Sequence, residues 1–388
     1  MRESRPEDFF KVFFNWTMNA GVTYYRMMNF AKFMRRQAKT QIAYSNFKAT
    51  EQSTVEWEQI LEEGGDQLSN VIKQMDTLMD INDISVWQVA HSKVSYSLYR
   101  AYRHKFDKKK PILIEADDYF FGVNPENAAS MAYYSNSDLE YFAEMQMRNA
   151  NALIVSTDYL KEKYSKFNEC IEVIPNAIDF EIWDAVKDNR KQGRVRIGFA
   201  GGSAHYYDLK VMAKVIPIIL KKHKNVDFVF FGHMPDYINT ARKIRHHSKW
   251  MGILDYPGEL ASLGIDIGVA PLRDNQFNRA KSNLRWLEYS ALKIPTVASP
   301  VGPFKECINP GMDGLFALEV DEWVAQLSYL IKEKSERYRM GKSAYNRVKE
   351  HYNAEKVSKD YLNVLEAFAK GKKPVKATQY DDGETLTV

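Results

Sequence analysis

The sequence predicts an α/β protein with two doubly wound parallel sheets. Short apolar strands alternate with helix-like segments twice along the chain, and this alternation is typical of parallel sheets. A polar stretch without apolar periodicity, "DAVKDNRKQGR", separates the two series. A chain of 388 residues is longer than a domain with a single hydrophobic core usually is. Its 45% of hydrophobic residues are enough to form two such cores. We therefore expect two domains.

The first series opens on the strand "KVFFNW", followed by Gly21 and by apolar residues at helical spacing. Residues 39–83 are interpreted as an insertion of undetermined role, with a helical segment from about Thr54 to Met79. The later strands of this series are predicted at "DISVWQVAHS", "PILIEADD", "NALIVST" and "IEVIP".

The second series predicts strands at "VRIGFAGG", "VDFVFFGH", "DIGVAPL" and "PTVAS". One long helix is predicted near the C-terminus, and the polar tail after it is predicted to be disordered. The predicted organisation is a first domain at 1–177, a linker at 178–194, a second domain at 195–345, a C-terminal helix at 346–372 and a tail at 373–388.

The charge pattern suggests an anionic partner without identifying it. The net charge is only +4, but positive residues cluster in "MRRQAK", "YRAYRHKFDKKK", "KKHK", "RKIRHHSK" and "KGKKPVK". Such clusters suit an acidic polymer or an anionic membrane surface, and each also fits an ordinary solvated helix end.

The N-terminus does not look like a signal peptide, no apolar run reaches membrane-spanning length, and two cysteines are too few for a disulfide framework. We expect a cytoplasmic protein.

Candidate site residues lie in loops that follow predicted strands. In open parallel sheets, ligands bind beyond the carboxyl ends of the strands, so these loops are where chemistry is expected. The residues found there are Gly21, His91, Asp117, Asp118, Gly201, Gly202, His205, Gly232, His233 and Arg273.

A known family resembles the segment "DIGVAPLRDNQFNRAKSNLRWLEYSALKIPTVASPVGPFKECINPGMDGLF". This segment is similar to the C-terminal domain of retaining GT-B nucleotide-sugar glycosyltransferases, family 4-like, also called glycosyl transferases group 1. The resemblance extends to "GVTYYR", "IEADDYFFG", "VSTDYLKEKY", "IPNAID" and "HYNAEKV". It implies two Rossmann-like domains facing a central cleft, a donor held by the second domain, an acceptor held by the first, and a C-terminal helix that crosses back.

The resemblance places Glu288 against the ribose hydroxyls of the donor, and a carboxylate can accept both of their hydrogen bonds. The family commonly has a second glutamate at the position of Ala280, so its usual contact with a sugar hydroxyl is in doubt here.

The segment "FNRAKS" is expected to receive the donor's diphosphate. Lys281 and the backbone N–H groups of Ser282 and Asn283 are placed at a helix start, where unpaired donors and the helix dipole favour an anion. Asn278 and Arg273 are expected to line the same site. No metal is then required, and the co-substrate is expected to be a UDP- or GDP-sugar. The alternative for Lys281 is a solvated helix start.

The two adjacent glycines, Gly201 and Gly202, are interpreted as letting the backbone approach the sugar diphosphate, with Ser203 and His205 adding polar contacts. The alternative is a structural turn that requires a positive φ. Gly232 and His233, after the next strand, are assigned to the same donor site.

His91, Asp117 and Asp118 are the candidate catalytic residues of the first domain. His91 either meets the donor sugar or is a structural histidine. Asp117 and Asp118 either orient an acceptor hydroxyl, with one as a general base, or cap the following helix. Arg26 is either a phosphate contact or a salt-bridge partner. The resemblance implies a reaction in which the leaving phosphate itself takes the acceptor's proton.

The acceptor is left open between two classes. One is a hydroxylated pyrimidine in DNA, as in phages, with the basic clusters on the phosphates and the base extruded from the duplex. The other is a glycan, a lipid-linked intermediate or a wall polymer. A non-catalytic sugar-nucleotide-binding protein is the alternative outside the enzymes. The sugar, the nucleotide base and the oligomeric state are not determined by the sequence.

Overall fold

The computed structural model describes residues 9–16, 21–46, 73, 81–90, 93–106, 110–121, 137–190, 193–238, 244–248 and 252–373. Most of the predicted insertion and residues 374–388 of the predicted tail therefore lie outside the described residues. The chain divides into two compact units. Unit 1 comprises Met1–Phe121, Tyr134–Pro175 and Glu355–Val388, and unit 2 comprises Gly122–Tyr133 and Asn176–Ala354.

Unit 1 contains a six-stranded parallel sheet in the order β2-β1-β3-β4-β5-β6. The central strands are completely buried, which is typical of a parallel sheet covered on both faces. The edge strand β2 was not predicted, because "TQIAYSN" mixes polar and apolar residues. The strands are β1 (Phe10–Trp16), β2 (Thr40–Asn46), β3 (Ile84–Gln88), β4 (Ile112–Ala116), β5 (Ala152–Val155) and β6 (Ile171–Val173).

The first helix of unit 1, α1, is continuous but changes its winding. It consists of Gly21–Thr23, a π-helical stretch at Tyr24–Met28, and Asn29–Met34. The predicted order of strand, glycine and helix is thus confirmed. The next helices of this unit are α2 (Lys93–Phe106), α3 (Ser137–Asn149) and α4 (Asp158–Tyr164).

Unit 2 contains a second six-stranded parallel sheet, in the order β12-β11-β10-β7-β8-β9. All four predicted strands are present, and the two strands missed by the sequence, β9 and β12, are short edge strands. The strands are β7 (Val195–Gly201), β8 (Val226–Gly232), β9 (Ile244–His247), β10 (Ile267–Ala270), β11 (Thr296–Ala298) and β12 (Leu315–Phe316).

The helices of unit 2 pack over a core that includes Ile197, Phe228 and Trp323. A short helix occupies part of the segment predicted as a linker, and its Trp183 is buried. The helices are α5 (Phe180–Trp183), α6 (Lys210–Lys222), α7 (Tyr256–Ser262), α8 (Gln276–Ala280), α9 (Leu284–Ala291), α10 (Pro303–Cys307), α11 (Val320–Lys332) and α12 (Lys334–His351).

The single C-terminal helix predicted from the sequence is two helices, α12 and α13 (Ala354–Ala369). The break has a physical cause, because the backbone around Tyr352 bonds to Ile178 instead of continuing the helix. Ile178 N–H donates to Tyr352 O at 2.8 Å, and Ala354 N–H donates to Ile178 O at 2.9 Å. Within the described residues, no helix has the combined length and hydrophobicity needed to span a membrane.

Helix α13 packs in unit 1. The ring of its Tyr361 is fully buried and meets Phe14 of β1 and Phe30 of α1 edge to face, with ring centroids 6.3 and 5.6 Å away. The last described helix of the chain therefore contributes to the core of the unit that contains the first strand.

Candidate functional site

The carboxyl ends of β7 and β8 meet at two glycines. Gly201 and Gly232 are paired in register, and the backbone N–H of His233 donates to Gly201 O at 2.8 Å. A Cβ atom on Gly232 would lie 2.5 Å from Gly201 O, and the φ angle of Gly232 is +90°. Glycine at position 232 therefore lets the two strand ends approach each other.

The glycine loop, Gly201 and Gly202, does not depend on left-handed backbone. Neither residue has a positive φ, and Gly202 is extended at φ −83° and ψ 179°. A Cβ atom on Gly201 would lie 2.7 Å from the Phe199 ring. The alternative of a positive-φ turn is therefore wrong for this pair, and close packing is what requires glycine at position 201.

A short turn, Ser203–His205, follows the glycine loop and leads to Asp208. Ser203 is exposed, whereas the His205 ring is partly covered and its Nδ1 lies 2.9 Å from Asp208 Oδ2. The other carboxylate oxygen of Asp208 accepts from Arg273 N–H at 2.9 Å and from Asn278 Nδ2 at 2.7 Å. Asp208, which the sequence analysis missed, thus joins three candidate residues; its position three residues after His205 is the signal for such a contact.

The helix start predicted around Lys281 lies in a break between two helices. Helix α8 is capped by the Asn275 side chain, which accepts from Asn278 N–H at 2.9 Å, and it ends at Lys281. Helix α9 begins only after Asn283. The Lys281 ammonium lies 4.2 Å from the centre of the Phe277 ring, a cation–π distance.

The polar side chains between the two helices pack within unit 2. Ser282 Oγ accepts from Asn176 Nδ2 at 2.8 Å. Burial raises the pKa values of Cys307 and Tyr352, and the neighbouring Asn283 side chain lowers them. The backbone N–H groups of Ser282 and Asn283, just before α9, are the parts of these residues that suit an anion.

Glu288 is buried beside a cation. Its Oε2 accepts from Arg285 Nη1 at 2.6 Å and from the Tyr256 hydroxyl at 3.1 Å, and Arg285 also donates to that hydroxyl at 2.9 Å. Burial raises the pKa of Tyr256, and the Glu288 carboxylate raises it further. Burial opposes the charge on Arg285, but Tyr256 and Glu288 raise the pKa of Arg285 well above its usual range. Glu288 is therefore positioned by two residues that the sequence analysis did not identify.

The His205 ring, just after the glycine loop, senses two positive charges. Burial lowers the pKa of His205; the Asp208 carboxylate opposes this shift, and the positive charges of Lys281 and Arg285 add to it. Lys281 and Arg285 are therefore close enough to His205 for their charges to be felt there. The site combines a close-packed glycine backbone with the charged side chains of Lys281 and Arg285, which suit an anionic ligand.

Tyr289, also missed by the sequence analysis, connects α9 to β7. Its hydroxyl donates to Gly198 O at 3.1 Å and accepts from Ala200 N–H at 2.9 Å. Burial raises the pKa of Tyr289 to about 12, so the hydroxyl stays protonated at neutral pH. This residue fixes the backbone immediately before the glycine loop.

The remaining donor-site candidates take different positions in unit 2. The Arg273 side chain is exposed, and the Arg273 backbone N–H donates to Asp208. The His233 ring is half-buried, and its pKa is lowered by burial and by His246. Within the described parts of the chain, no three His, Cys, Asp or Glu side chains are grouped closely enough to hold a metal ion.

The candidate catalytic residues belong to unit 1. Asp117 follows β4, and its pKa is raised well above the usual range by burial and by the charges of Asp118 and Glu115. The backbone oxygen of Asp118 accepts a hydrogen bond from the Tyr164 hydroxyl. Gly21 is the exposed first residue of α1. His91 lies outside the described residues.

Arg26 is a salt-bridge partner, one of the two roles left open by the sequence. Its Nε donates to Glu115 Oε1 at 2.6 Å, its Nη1 donates to Ile174 O at 2.6 Å, and both side chains of the ion pair are fully buried. Complete burial removes the guanidinium from contact with a ligand.

The topology of the two units indicates which fold the chain has. Two parallel six-stranded sheets in separate units are the arrangement of the GT-B fold. Residues 216–363 match the family model described as "Glycosyl transferase-like". The chain therefore has the GT-B fold that its resemblance to the group 1 enzymes predicted, and residues 216–363, less than half of the chain, resemble the glycosyl transferase-like family.

Solved structures share this fold at low sequence identity. Sucrose-phosphate synthase from Thermosynechococcus elongatus superposes with a TM-score of 0.69 at 12% identity, covering 93% of this chain and 100% of that one. HepE from Anabaena, in complex with UDP and glucose, superposes with a TM-score of 0.63 at 12% identity, covering 92% of this chain and 100% of that one. A glycosyltransferase from Rickettsia africae superposes with a TM-score of 0.63 at 12% identity, covering 94% of this chain and 100% of that one. None of the curated proteins compared with this sequence is similar to it.

Proposed function

We propose that the chain is a retaining glycosyltransferase that moves a sugar from a UDP-sugar to an acceptor hydroxyl group. The observation that carries the proposal is that the charges of Lys281 and Arg285 are felt at His205, just after the glycine loop, while Arg285 also pairs with the buried carboxylate of Glu288. UDP is the nucleotide in structures of HepE and of TarM, two proteins with this fold.

Each part of a nucleotide sugar has a chemically suitable partner in unit 2. Backbone N–H groups of the glycine loop and those preceding α9 suit the diphosphate, and Lys281 supplies a positive charge. The carboxylate of Glu288 suits the two ribose hydroxyls. Because Ala280 stands where the family commonly has a glutamate, the sugar itself must be recognised by other residues.

In the proposed reaction, the acceptor oxygen forms a bond to the anomeric carbon as the bond from that carbon to the phosphate oxygen breaks. The leaving phosphate takes the acceptor's proton, and attack on the same face retains the configuration. A strong protein base is not needed, so Asp117 and Asp118 are proposed to orient the acceptor. We propose that stabilisation of the leaving diphosphate by Lys281 and helix α9 takes the place of a metal ion.

The nature of the acceptor stays a prediction. Of the basic stretch "YRAYRHKFDKKK", Arg103 is buried and donates to Asn151 Oδ1 at 2.5 Å, so it is a core residue and not a phosphate contact. In "RKIRHHSK", Arg245 and His246 are exposed. A gel shift over a salt series separates the acceptor classes: binding that falls steeply with salt supports DNA, and no binding at low salt favours a glycan or lipid-linked acceptor.

The donor is tested by thermal unfolding in the presence of UDP-, GDP- and ADP-sugars. A ligand that binds only the folded state raises the Tm, and at a hundredfold excess over Kd the stabilisation is about 2.7 kcal/mol. We expect UDP-sugars to raise the Tm and the other two classes to have little effect. Preference for GDP- or ADP-sugars would contradict the proposed donor, and no stabilisation by any of them would contradict the proposed function.

Activity distinguishes an enzyme from a sugar-nucleotide binder. We expect slow release of UDP from the stabilising UDP-sugar, unchanged by EDTA, and an NMR spectrum of any transfer product that shows the anomeric configuration of the donor. Inversion would contradict the proposed mechanism, and loss of turnover on chelation would contradict the metal-independent route.

A further inference from the structure

We propose that Asp208 is a positioning residue of the donor site, which holds the His205 imidazole in one tautomer and ties the loop at Arg273–Asn278 to the glycine loop. The proposal rests on the proposed function, because the ligand that the imidazole would meet is the diphosphate of a nucleotide sugar.

Asp208 connects two loops through the two oxygens of its carboxylate. One carboxylate oxygen bonds His205 Nδ1 in the same turn, and the other accepts hydrogen bonds from Arg273 N–H and Asn278 Nδ2, which lie 65 and 70 residues further along the chain. The Asn278 side chain also donates to Arg273 O at 2.9 Å, which closes the loop on itself. A single carboxylate therefore sets the relative positions of two loops at the carboxyl edge of the sheet.

Asp208 acts through its neighbours, because it is itself inaccessible. Its side chain is 4% exposed, whereas that of His205 is 21% exposed. A ligand entering the site can reach the imidazole but not the carboxylate. We therefore assign the ligand contact to His205 and the positioning to Asp208.

The carboxylate also determines which nitrogen of His205 faces the ligand. Although burial opposes its ionisation, the hydrogen bonds from His205, Arg273 and Asn278 lower the pKa of Asp208, so it is ionised at neutral pH. An ionised carboxylate only accepts hydrogen bonds, so Nδ1 must carry a proton. Nε2 is then the nitrogen left to meet the ligand, as a donor when the ring is protonated and as an acceptor when it is neutral.

The groups around His205 determine the sign of the pH effect. The ring faces Asp208 on its own turn, Phe199 of β7 at 5.9 Å between ring centres, and the positive charges of Lys281 and Arg285. Without an anion, burial and these two cations favour the neutral ring. A bound diphosphate adds negative charge and favours the imidazolium, so binding takes up a proton at His205. Affinity is then highest at low pH and falls as the pH rises through the titration of the bound ring.

The test uses UDP-glucose and calorimetry between about pH 5 and pH 8. UDP-glucose is the better probe than UDP, because the terminal phosphate of UDP titrates in this range. We expect affinity of the unsubstituted protein to fall by about tenfold across the range, the size of one charge-assisted hydrogen bond. His205→Gln should bind as the unsubstituted protein does at high pH, with no pH dependence.

Asp208→Asn retains the shape but not the charge, so it should weaken binding most at low pH and flatten the profile. Adding Asp208→Asn to His205→Gln should leave the already flat profile flat. Asp236→Asn is the matched control, since this exposed carboxylate accepts from the Tyr206 hydroxyl at 2.7 Å in the same region. It should leave the pH dependence unchanged.

The outcomes separate this proposal from the proposed function. If UDP-glucose binds but His205→Gln keeps the full pH dependence, or folded Asp208→Asn retains the profile of the unsubstituted protein, the positioning role is wrong and the donor assignment stands. If UDP-glucose does not bind to the unsubstituted protein at any pH, the proposed UDP-sugar donor is wrong. Because His205 is partly exposed, His205→Gln remains decisive if Asp208→Asn fails to fold.

Discussion

Glu288 illustrates how single residues of the site are positioned. It is buried, and its partners Arg285 and Tyr256 hold one carboxylate oxygen. A buried carboxylate with a hydrogen-bonded cation keeps its charge, whereas the same carboxylate without a partner would tend to take up a proton. The ion pair and the Tyr256 hydroxyl thus position the carboxylate that is proposed to accept hydrogen bonds from the ribose hydroxyls.

Glu288→Gln is expected to weaken UDP binding by about tenfold or more, because hydrogen bonds to a charged group are replaced by weaker ones. Calorimetry at neutral pH measures this change. The control is Glu336→Gln. This substitution removes an ion pair of 2.7 Å to the exposed Arg339, and it should leave the affinity for UDP unchanged. Unaltered UDP affinity in folded Glu288→Gln would show that this carboxylate does not contact the nucleotide.

At the scale of elements, helix α9 is attached to β7 through the hydroxyl of Tyr289, which hydrogen-bonds to the strand's backbone. β7 pairs with β10 only at Ile197 and Gly198, and the Tyr289 hydroxyl bonds the β7 backbone beyond that point. The ring needs space from the facing strand, because a Cβ atom on Gly268 would lie 2.4 Å from it. The element that carries Glu288 and the strand that carries the glycine loop are thus one packed assembly.

Gly268→Ala is expected to destabilise the protein by about 1–3 kcal/mol, the usual cost of overpacking a core. Chemical denaturation measures the loss. Gly258→Ala is the matched control, since this glycine lies in helix α7 with nothing within 4 Å of the added Cβ atom. It should stabilise by about 0.5–1 kcal/mol through helix propensity. Equal effects of the two substitutions would contradict the proposed packing role of Gly268.

At the scale of the whole molecule, the chain passes from unit 1 to unit 2 and returns. The passage after Pro175 and the return after Ala354 lie close together in space, because the backbone of Ile178 bonds both Tyr352 and Ala354. After the second passage, α13 supplies core residues to unit 1. Unit 1 is therefore assembled from segments that are more than 170 residues apart, Pro175 and Glu355 being its nearest ends across unit 2.

Tyr361→Ala is expected to cost about 3–5 kcal/mol of stability, the usual effect of removing a large buried aromatic side chain. UDP affinity should be retained below the new Tm, because the proposed donor site belongs to unit 2. Thermal unfolding and calorimetry measure the two effects. Tyr338→Ala, at a position 66% exposed, should change neither. A large loss of UDP affinity in folded Tyr361→Ala would contradict the assignment of the donor site to unit 2 alone.

The sequence by itself determined the class of fold and predicted the edge of the sheet at which a site is expected. Alternating apolar strands and helices carry a local signal, and Gly201 and Gly232 follow directly from their positions after strands, whereas Glu288 was predicted from the resemblance to the group 1 enzymes. The short edge strands β2, β9 and β12 carried too weak a signal, because edge strands are polar or only a few residues long.

Only the tertiary structure decided how the site is held. Asp208, Arg285, Tyr256 and Tyr289 act through partners that are mostly distant in sequence, and the interruptions of helices near Lys281 and Tyr352 result from packing that helical periodicity does not encode. The physical reason is that hydrogen bonds and ion pairs depend on distances set by the folded chain. Local sequence determines which elements form, whereas these contacts form only once the elements have packed together.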